Sequence, residues 1–262
     1  MECRICGVPT EPAFRARILG KYDAGYHRCP SCGFIQTDDP FWLTESYASA
    51  INDIDLGPVN RAVTGSRLVE GVILSFFDPA ARYVDYGAGY GVLVRLMRDR
   101  GFDFYWSDPH CQNIFAKHFV AEPGRRFELL TAFEVFEHLA DPIQEIGQML
   151  EMADNLLFST LLVPRRANRA EDWWYFGPEH GQHIAFYTRR ALEVLGERFG
   201  LHLASDGEGM HLLSRRKVPE RAFRLLARDG WAARGARMML RRRLRQQSLL
   251  QEDFRAVSGH QL

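Results

Sequence analysis

From Tyr83 to Ser214 the chain alternates short, β-favouring apolar runs with longer runs of helical period, and glycine, proline and capping residues mark the joins. Tyr83-Val84-Asp85-Tyr86 reads as a strand, Gly87-Ala88-Gly89-Tyr90-Gly91 as a turn, and residues 92–100 as a helix closed by Gly101. A second strand is predicted over 103–107 and a helix over 112–119. A buried strand follows at 127–132, then a helix over 142–152 entered through Asp141-Pro142, and a strand within 155–162. A helix over 188–199, capped by Thr188 and ended at Gly200, leads to a closing pair of strands at 201–205 and 209–214. Upstream, the apolar period over 59–77 predicts a helix running onto the sheet. This alternation predicts an α/β fold, a doubly wound and mostly parallel sheet that finishes in an antiparallel hairpin. Only seven residues separate Phe119 from Phe127, so the strand expected between them must be very short.

The glycine turn sits at the carboxyl end of its strand, where open α/β sheets bind cofactors. Asp108 ends the second strand-like run, about 20 residues on, where a ribose hydroxyl pair is usually held. A dinucleotide fingerprint needs Gly or Ala at its sixth position; here that position is Val92. The cofactor is therefore expected to be of another kind.

Composition changes this picture little: 46% hydrophobic and 25% charged residues suit a globular protein with a sizeable core. No secretory signal is visible at Met1-Glu2-Cys3-Arg4, and no apolar run is long enough to span a bilayer, so a reducing, cytoplasmic setting is expected. Cysteines then call for an explanation other than disulfides. Cys3-x-x-Cys6 and Cys29-x-x-Cys32, 22 residues apart and each followed by a glycine, form the pattern of a four-thiolate zinc ribbon. Four thiolates close a tetrahedral shell, so the zinc is expected to be structural. Cys111 is left over and reads as a packing thiol.

Charge is segregated along the chain. Residues 215–245 hold 12 basic side chains against Glu220 and Asp229, leaving 21 basic and 31 acidic elsewhere. Arginines at spacings of three and four, with leucines and methionines between them, predict amphipathic helices with a basic face. That face either pairs with the acidic body or meets an anionic partner: a phosphate group, an anionic membrane surface or nucleic acid. The expected organisation is a ribbon over 1–40, a helical linker and substrate cover over 41–79, a core over 80–216 and a basic helical tail over 217–262.

The core resembles the Rossmann-like class I S-adenosylmethionine (SAM) methyltransferases. Val84-Asp85-Tyr86-Gly87-Ala88-Gly89-Tyr90-Gly91 looks like their first motif. Thr131 to Leu139 with Asp141-Pro142 looks like their E-x-x-E-H-L-x-D-P segment after the fourth strand. The resemblance implies that Gly87, Gly89 and Gly91 let the backbone approach the methionine part of SAM. It implies that Asp85 holds the SAM ammonium, Asp108 the ribose hydroxyls, and that Phe133 and Glu134 line the cofactor cleft. Carboxylates suit a cofactor carrying a sulfonium and an ammonium. Glu137-His138 either joins the site or fixes the loop into the next helix.

With the ribbon added, the chain is similar to sugar C-methyltransferases and related methyltransferases of surface-glycan biosynthesis. Gln182-His183-Ile184-Ala185-Phe186-Tyr187-Thr188 resembles their E-H-x-x-Y-F-S segment, which puts His183 on the catalytic histidine and Gln182 in place of a glutamate. An amide is no base, so O-methylation, which needs one base, is at least as expected as C-methylation. His180 and Glu179 are stand-ins for the missing group. Trp173, Trp174 and Tyr175, with Gln182, are candidate contacts to a nucleotide sugar or glycan acceptor, since sugars present apolar faces with hydroxyl edges. Two other functions remain open: an RNA methyltransferase targeted by its ribbon, and a non-catalytic scaffold of the same fold.

Overall fold

The computed structural model describes residues 1–47, 56–228, 230–244 and 246–260. The part of the expected helical linker at 48–55, and Asp229 and Arg245 of the basic tail, lie outside the described residues. Two sheets organise the chain. The larger is built from β4 (Arg82–Tyr86), β5 (Asp103–Ser107), β6 (Leu129–Ala132), β7 (Leu156–Ser159), β9 (His202–Ser205) and β10 (Met210–Ser214), in the order β5-β4-β6-β7-β10-β9. The first four are parallel, whereas β10 runs antiparallel to both β7 and β9. The chain leaves β4 towards β5 on one side and returns to β6 on the other. The carboxyl end of β4 is thus the point where strand order reverses, the place at which open α/β sheets bind their ligands.

Helices cover both faces. α2 (Pro58–Phe76), α3 (Val92–Asp99) and α6 (Glu220–Ala227) pack with Tyr83, Phe104 and Leu129 in one core. α4 (Pro142–Met152) and α5 (Arg189–Phe199) bury Ile146, Met149, Leu192 and Leu195 against Val84, Leu130 and Leu156 in the other. The boundaries follow local chemistry. Asp141 caps α4 by accepting from the Gln144 amide, Thr188 caps α5 by accepting from Ala191, and Gly200 ends α5 in the left-handed region. α7 (Trp231–Arg243) and α8 (Leu250–Ser258) complete the tail.

The helix expected over 112–119 does not form. The amides of Ile114 and Phe115 donate to the Tyr90 carbonyl in the glycine turn, and Asn113 accepts from Ala116 while donating back to its carbonyl. Those amides hold the loop against the turn instead of starting a helix. The short third strand is reduced to one bridge, Trp106 with Val120.

The smaller sheet joins β1 (Glu11–Ile18), β2 (Tyr22–Arg28) and β3 (Ile35–Thr37) to β8 (Ala185–Phe186), all antiparallel. The ribbon therefore borrows its last strand from the segment that follows His183. Cys3, Ile5, Cys29, Cys32 and Phe34 also share the core beneath α4 and α5. Ribbon and sheet are one packed body at this point. Ahead of α2, α1 (Leu43–Ser46) forms a single turn that rests on the segment around Gly181 through Trp42.

Candidate functional site

The glycine turn at the end of β4 is shaped by left-handed backbone at Gly87, Gly89 and Gly91. A Cβ at Gly87 would collide with Val135, and one at Gly91 would press on Asn113 and Ala116. At Gly89 a Cβ would meet nothing within 4 Å, so the crest of the turn faces open space where a ligand can reach the backbone. Asp108 closes the turn: its carboxylate accepts from the amides of Gly89 (2.8 Å), His110 (2.7 Å) and Cys111 (2.9 Å). Oδ1 takes the His110 and Cys111 amides and Oδ2 takes Gly89, so Oδ2 retains acceptor capacity towards a hydroxyl.

Beneath the turn lies Asp85, 4% exposed, its Oδ1 accepting from Thr131 Oγ1 at 2.6 Å. Burial pushes its carboxyl up to about 7; the Thr131 hydrogen bond opposes the shift and Asp108 adds to it. A buried carboxylate held by a hydroxyl suits a cationic group such as the ammonium of an amino-acid moiety. After β6, Phe133 packs on Gly65 of α2. Glu134 is held in the left-handed region (φ 55°), and the Ser159 hydroxyl bridges its amide and its Oε1. Strain of this kind at a strand end is characteristic of binding sites.

Next to this cleft the structure gathers three histidines. His183 donates from Nδ1 to the Tyr175 carbonyl (2.6 Å), because a carbonyl can only accept; Nε2 therefore carries the lone pair. His138 Nδ1 lies between two partners, the Gln182 carbonyl (3.0 Å) and the Tyr47 hydroxyl (2.9 Å). Its ring stands edge-on to His183 at 4.9 Å, and His180 does so from another side at 4.7 Å. Burial, reinforced by His138, holds His183 well below the usual imidazole range, and burial brings His138 down to about 4, so both rings are neutral. Burial lowers His180 as well, and its Nδ1 accepts from the Gln182 amide.

Glu137, adjacent to His138, is fully buried. Burial foremost, then Glu134, pushes its carboxyl up to about 8, against the opposing influence of the nearby Tyr175 and Thr160 hydroxyls. Those hydroxyls are near enough to matter, yet among the described residues neither they nor the two Glu137 oxygens complete a well-formed hydrogen bond. In the sequence alone Glu137 is open between a site residue and a loop anchor. Its E-H-L context was the available signal, but only the fold brings it to His183.

Other candidates fall differently. Glu179 is exposed on the turn, where its charge opposes the lowering of His180. Gln182 spends its side-chain amide on the Ser46 carbonyl (2.8 Å), tying the end of α1 to this segment. Tyr175 is buried, with its ring against His183 at 4.6 Å, and Trp173 packs on Phe176 and Phe186. Trp174 is 75% exposed, an open apolar face in the same loop.

The four ribbon cysteines converge, with Sγ separations of 3.6 Å (Cys3–Cys32), 3.4 Å (Cys6–Cys29) and 3.7 Å (Cys6–Cys32). A tetrahedral zinc with ~2.3 Å bonds sets its sulfurs about 3.8 Å apart, so the cluster fits such an ion. Both knuckles use one design. Cys3 and Cys29 donate from their amides to Val8 and Phe34, and their carbonyls accept from Gly7 and Gly33 in left-handed turns. Amides of Ile5 and Cys32 point at the Cys3 and Cys29 sulfurs.

A parallel sheet with a glycine turn at its switch point, a buried carboxylate below it and an acid anchoring its crest defines an α/β enzyme that binds a nucleoside-type cofactor. A family model described as "Methyltransferase domain" matches residues 64–205, more than half of the chain. The chain belongs to that family and is a SAM-dependent methyltransferase.

No curated protein matches it. Among solved structures it is similar to magnesium protoporphyrin IX methyltransferase from Synechocystis PCC 6803 with bound SAH, at 12% identity and TM-score 0.44, covering 67% of this chain and 95% of that one. Human N-acetylserotonin methyltransferase in complex with SAM is 15% identical, TM-score 0.41, covering 67% and 66%. An O-methyltransferase family protein from Burkholderia thailandensis is 11% identical, TM-score 0.42, covering 68% of each.

Proposed function

We propose that the chain transfers the SAM methyl group to a hydroxyl of a sugar, carried by a nucleotide or a surface glycan. Removal of the acceptor's proton depends on His183. The observation that carries this reading is the fixed tautomer of His183, whose Nδ1–H is held by Tyr175 so that a lone pair on Nε2 remains available. Val135 lies against the glycine turn two residues before Glu137, and Tyr47 stacks on His110 while its hydroxyl reaches His138; both support a site shared by this cluster and the cofactor turn. Exposed Trp174 in the neighbouring loop supports a sugar face as the acceptor.

Within this reading Asp85 pairs with the SAM ammonium, Asp108 accepts from the ribose hydroxyls, and Gly87, Gly89 and Gly91 admit the cofactor to the backbone. Phe133 and Glu134 wall the cleft. The sulfonium is an activated leaving group, so in-line positioning provides most of the acceleration. His180 positions its neighbours through the Gln182 amide. The exposure of Glu179 favours a role at the mouth. Cys3, Cys6, Cys29 and Cys32 hold a structural zinc that stiffens the sheet next to the acceptor loop.

His183→Ala is expected to lower turnover by a factor of about 10²–10⁴ with SAM affinity unchanged. Single-turnover assays and calorimetry check this, and wild-type turnover in the variant would overturn the reading. Retention of RNA by the purified protein in a salt-dependent way, with methylation of that RNA, would favour the nucleic-acid alternative instead.

A further inference from the structure

One ring nitrogen of His138, one of His183 and a carboxylate oxygen of Glu137 all lie within 4.8 Å of one another. We propose that these three side chains form a second metal site, distinct from the cysteine cluster, for a divalent cation of the manganese-to-zinc series that binds the acceptor hydroxyl. The inference rests on the reading of this crevice as the acceptor site, and it says how proton loss comes to depend on His183.

Three independent features support the site. The first is ligand type: two imidazoles and one carboxylate suit first-row divalent metals, and three protein ligands leave positions open for a substrate oxygen, unlike the closed four-thiolate cluster. The second is orientation. His183 gives Nδ1–H to the Tyr175 carbonyl, which leaves Nε2 to a metal, and His138 Nδ1 is held between the Gln182 carbonyl and the Tyr47 hydroxyl. A hydrogen bond of this kind to the far nitrogen is the usual support of a metal-bound histidine. The third is the unmet demand of Glu137, 0% exposed, whose two oxygens complete no hydrogen bond among the described residues. A cation satisfies a buried carboxylate that the nearby Tyr175 and Thr160 hydroxyls leave without a well-formed hydrogen bond. A coordination sphere with bonds of about 2.1 Å draws such ligand atoms to about 3–3.4 Å apart, a contraction that side-chain rotation can supply.

The chemistry balances. The cation would lower the pKa of a bound water, to near neutrality where it is zinc; that water gives its proton to solvent and leaves a hydroxide. The acceptor hydroxyl gives its proton to that hydroxide, which leaves as water, and the acceptor oxygen stays on the cation. That oxygen then attacks the SAM methyl: an O–C bond forms, the S–C bond breaks, and its electron pair returns to sulfur in S-adenosylhomocysteine. His183 acts through the ion, as a ligand.

The full-length protein, with its cysteine-bound metal in place, is titrated with cobalt(II). The expected result is one further equivalent per chain, with a visible spectrum that lacks a sulfur-to-cobalt charge-transfer band. Glu137→Gln and His183→Ala are each expected to weaken that equivalent by about 10–100-fold, while the cysteine-bound ion and the thermal midpoint report an intact fold. Methyl transfer is expected to fall on removal of the second ion and to return with manganese, cobalt or zinc. No second equivalent, or one that survives both substitutions, overturns the site. If His183→Ala abolishes turnover while no second ion binds, the acceptor reading stands and only the metal falls. If His183→Ala turns over normally, the acceptor reading itself falls.

Discussion

At Asp85 the Thr131 hydroxyl, its one side-chain partner among the described residues, stands between a buried carboxylate and its desolvation cost. The folded group titrates near 7 against about 3.9 in the unfolded chain. Because the folded value is the higher one, the free protein binds more protons than the unfolded chain between those values. Its stability from this group is complete below about pH 4 and is lost as pH rises towards 7. Cofactor binding has the opposite demand, since an ammonium partner needs the ionised carboxylate. SAM affinity is therefore expected to rise from about pH 6 to about 7.5, with proton release on binding at the lower end. Asp85→Asn should bind SAM more weakly and with a flatter pH profile, as calorimetry in buffers of different ionisation heat would reveal. An unchanged profile in the variant would place the ammonium elsewhere.

At the scale of elements, most of the order was legible where pattern and cap agreed. α4 begins at Pro142 after Asp141, and α5 runs from the Thr188 cap to Gly200, because capping groups and apolar period specify the same ends. The loop over 112–119 was not legible. Its apolar residues suggest a helix, but its amides serve the Tyr90 carbonyl and the Asn113 side chain, partners that exist only once the turn has folded. The site was half legible for the same reason. The glycine turn, Asp85, Asp108 and His183 stand in local motifs, whereas the approach of Glu137 and His138 to His183 depends on β8 joining the ribbon sheet. That pairing gives the ribbon a functional reach: β3 binds β8, and Ile184 donates to the Glu137 carbonyl. Cys29→Ser is accordingly expected to lower the melting temperature and turnover together, while SAM affinity changes little. Parallel melting, turnover and calorimetry measurements check it, and unimpaired turnover after loss of the ribbon ion would uncouple the two.

Over the whole molecule, the charge imbalance between tail and body is partly resolved by folding. Arg241 of α7 pairs at 2.6 Å with Glu70, a buried acid on α2 that also receives Arg100 at 2.9 Å. In return, α8 supplies Asp253, 6% exposed, which accepts two bonds from Arg98 (2.9 and 2.7 Å) and pairs with Arg95 at 2.8 Å. Asp253→Ala strands a buried guanidinium with Asp103 as its remaining carboxylate and should cost about 3 kcal/mol, measurable by urea denaturation. A loss below about 0.5 kcal/mol would mean that α8 contributes little to the fold. Exposed Trp231, Met238 and Met239 on α7, among arginines, keep an anionic partner for the tail as a proposal. No helix of the described residues is long and apolar enough to cross a membrane.

The glycine turn, the histidine cluster and the exposed Trp174 meet in one claim, that a methyl group passes from SAM to a sugar hydroxyl in this crevice. The direct measurement is transfer of isotope-labelled methyl from SAM to a panel of nucleotide sugars and glycans, with the position of the label read by NMR. The predicted result is a single O-methylated sugar, formed by the wild type and not by His183→Ala. Label on RNA or protein, on a sugar carbon, or on no acceptor while SAM binds normally, would contradict it.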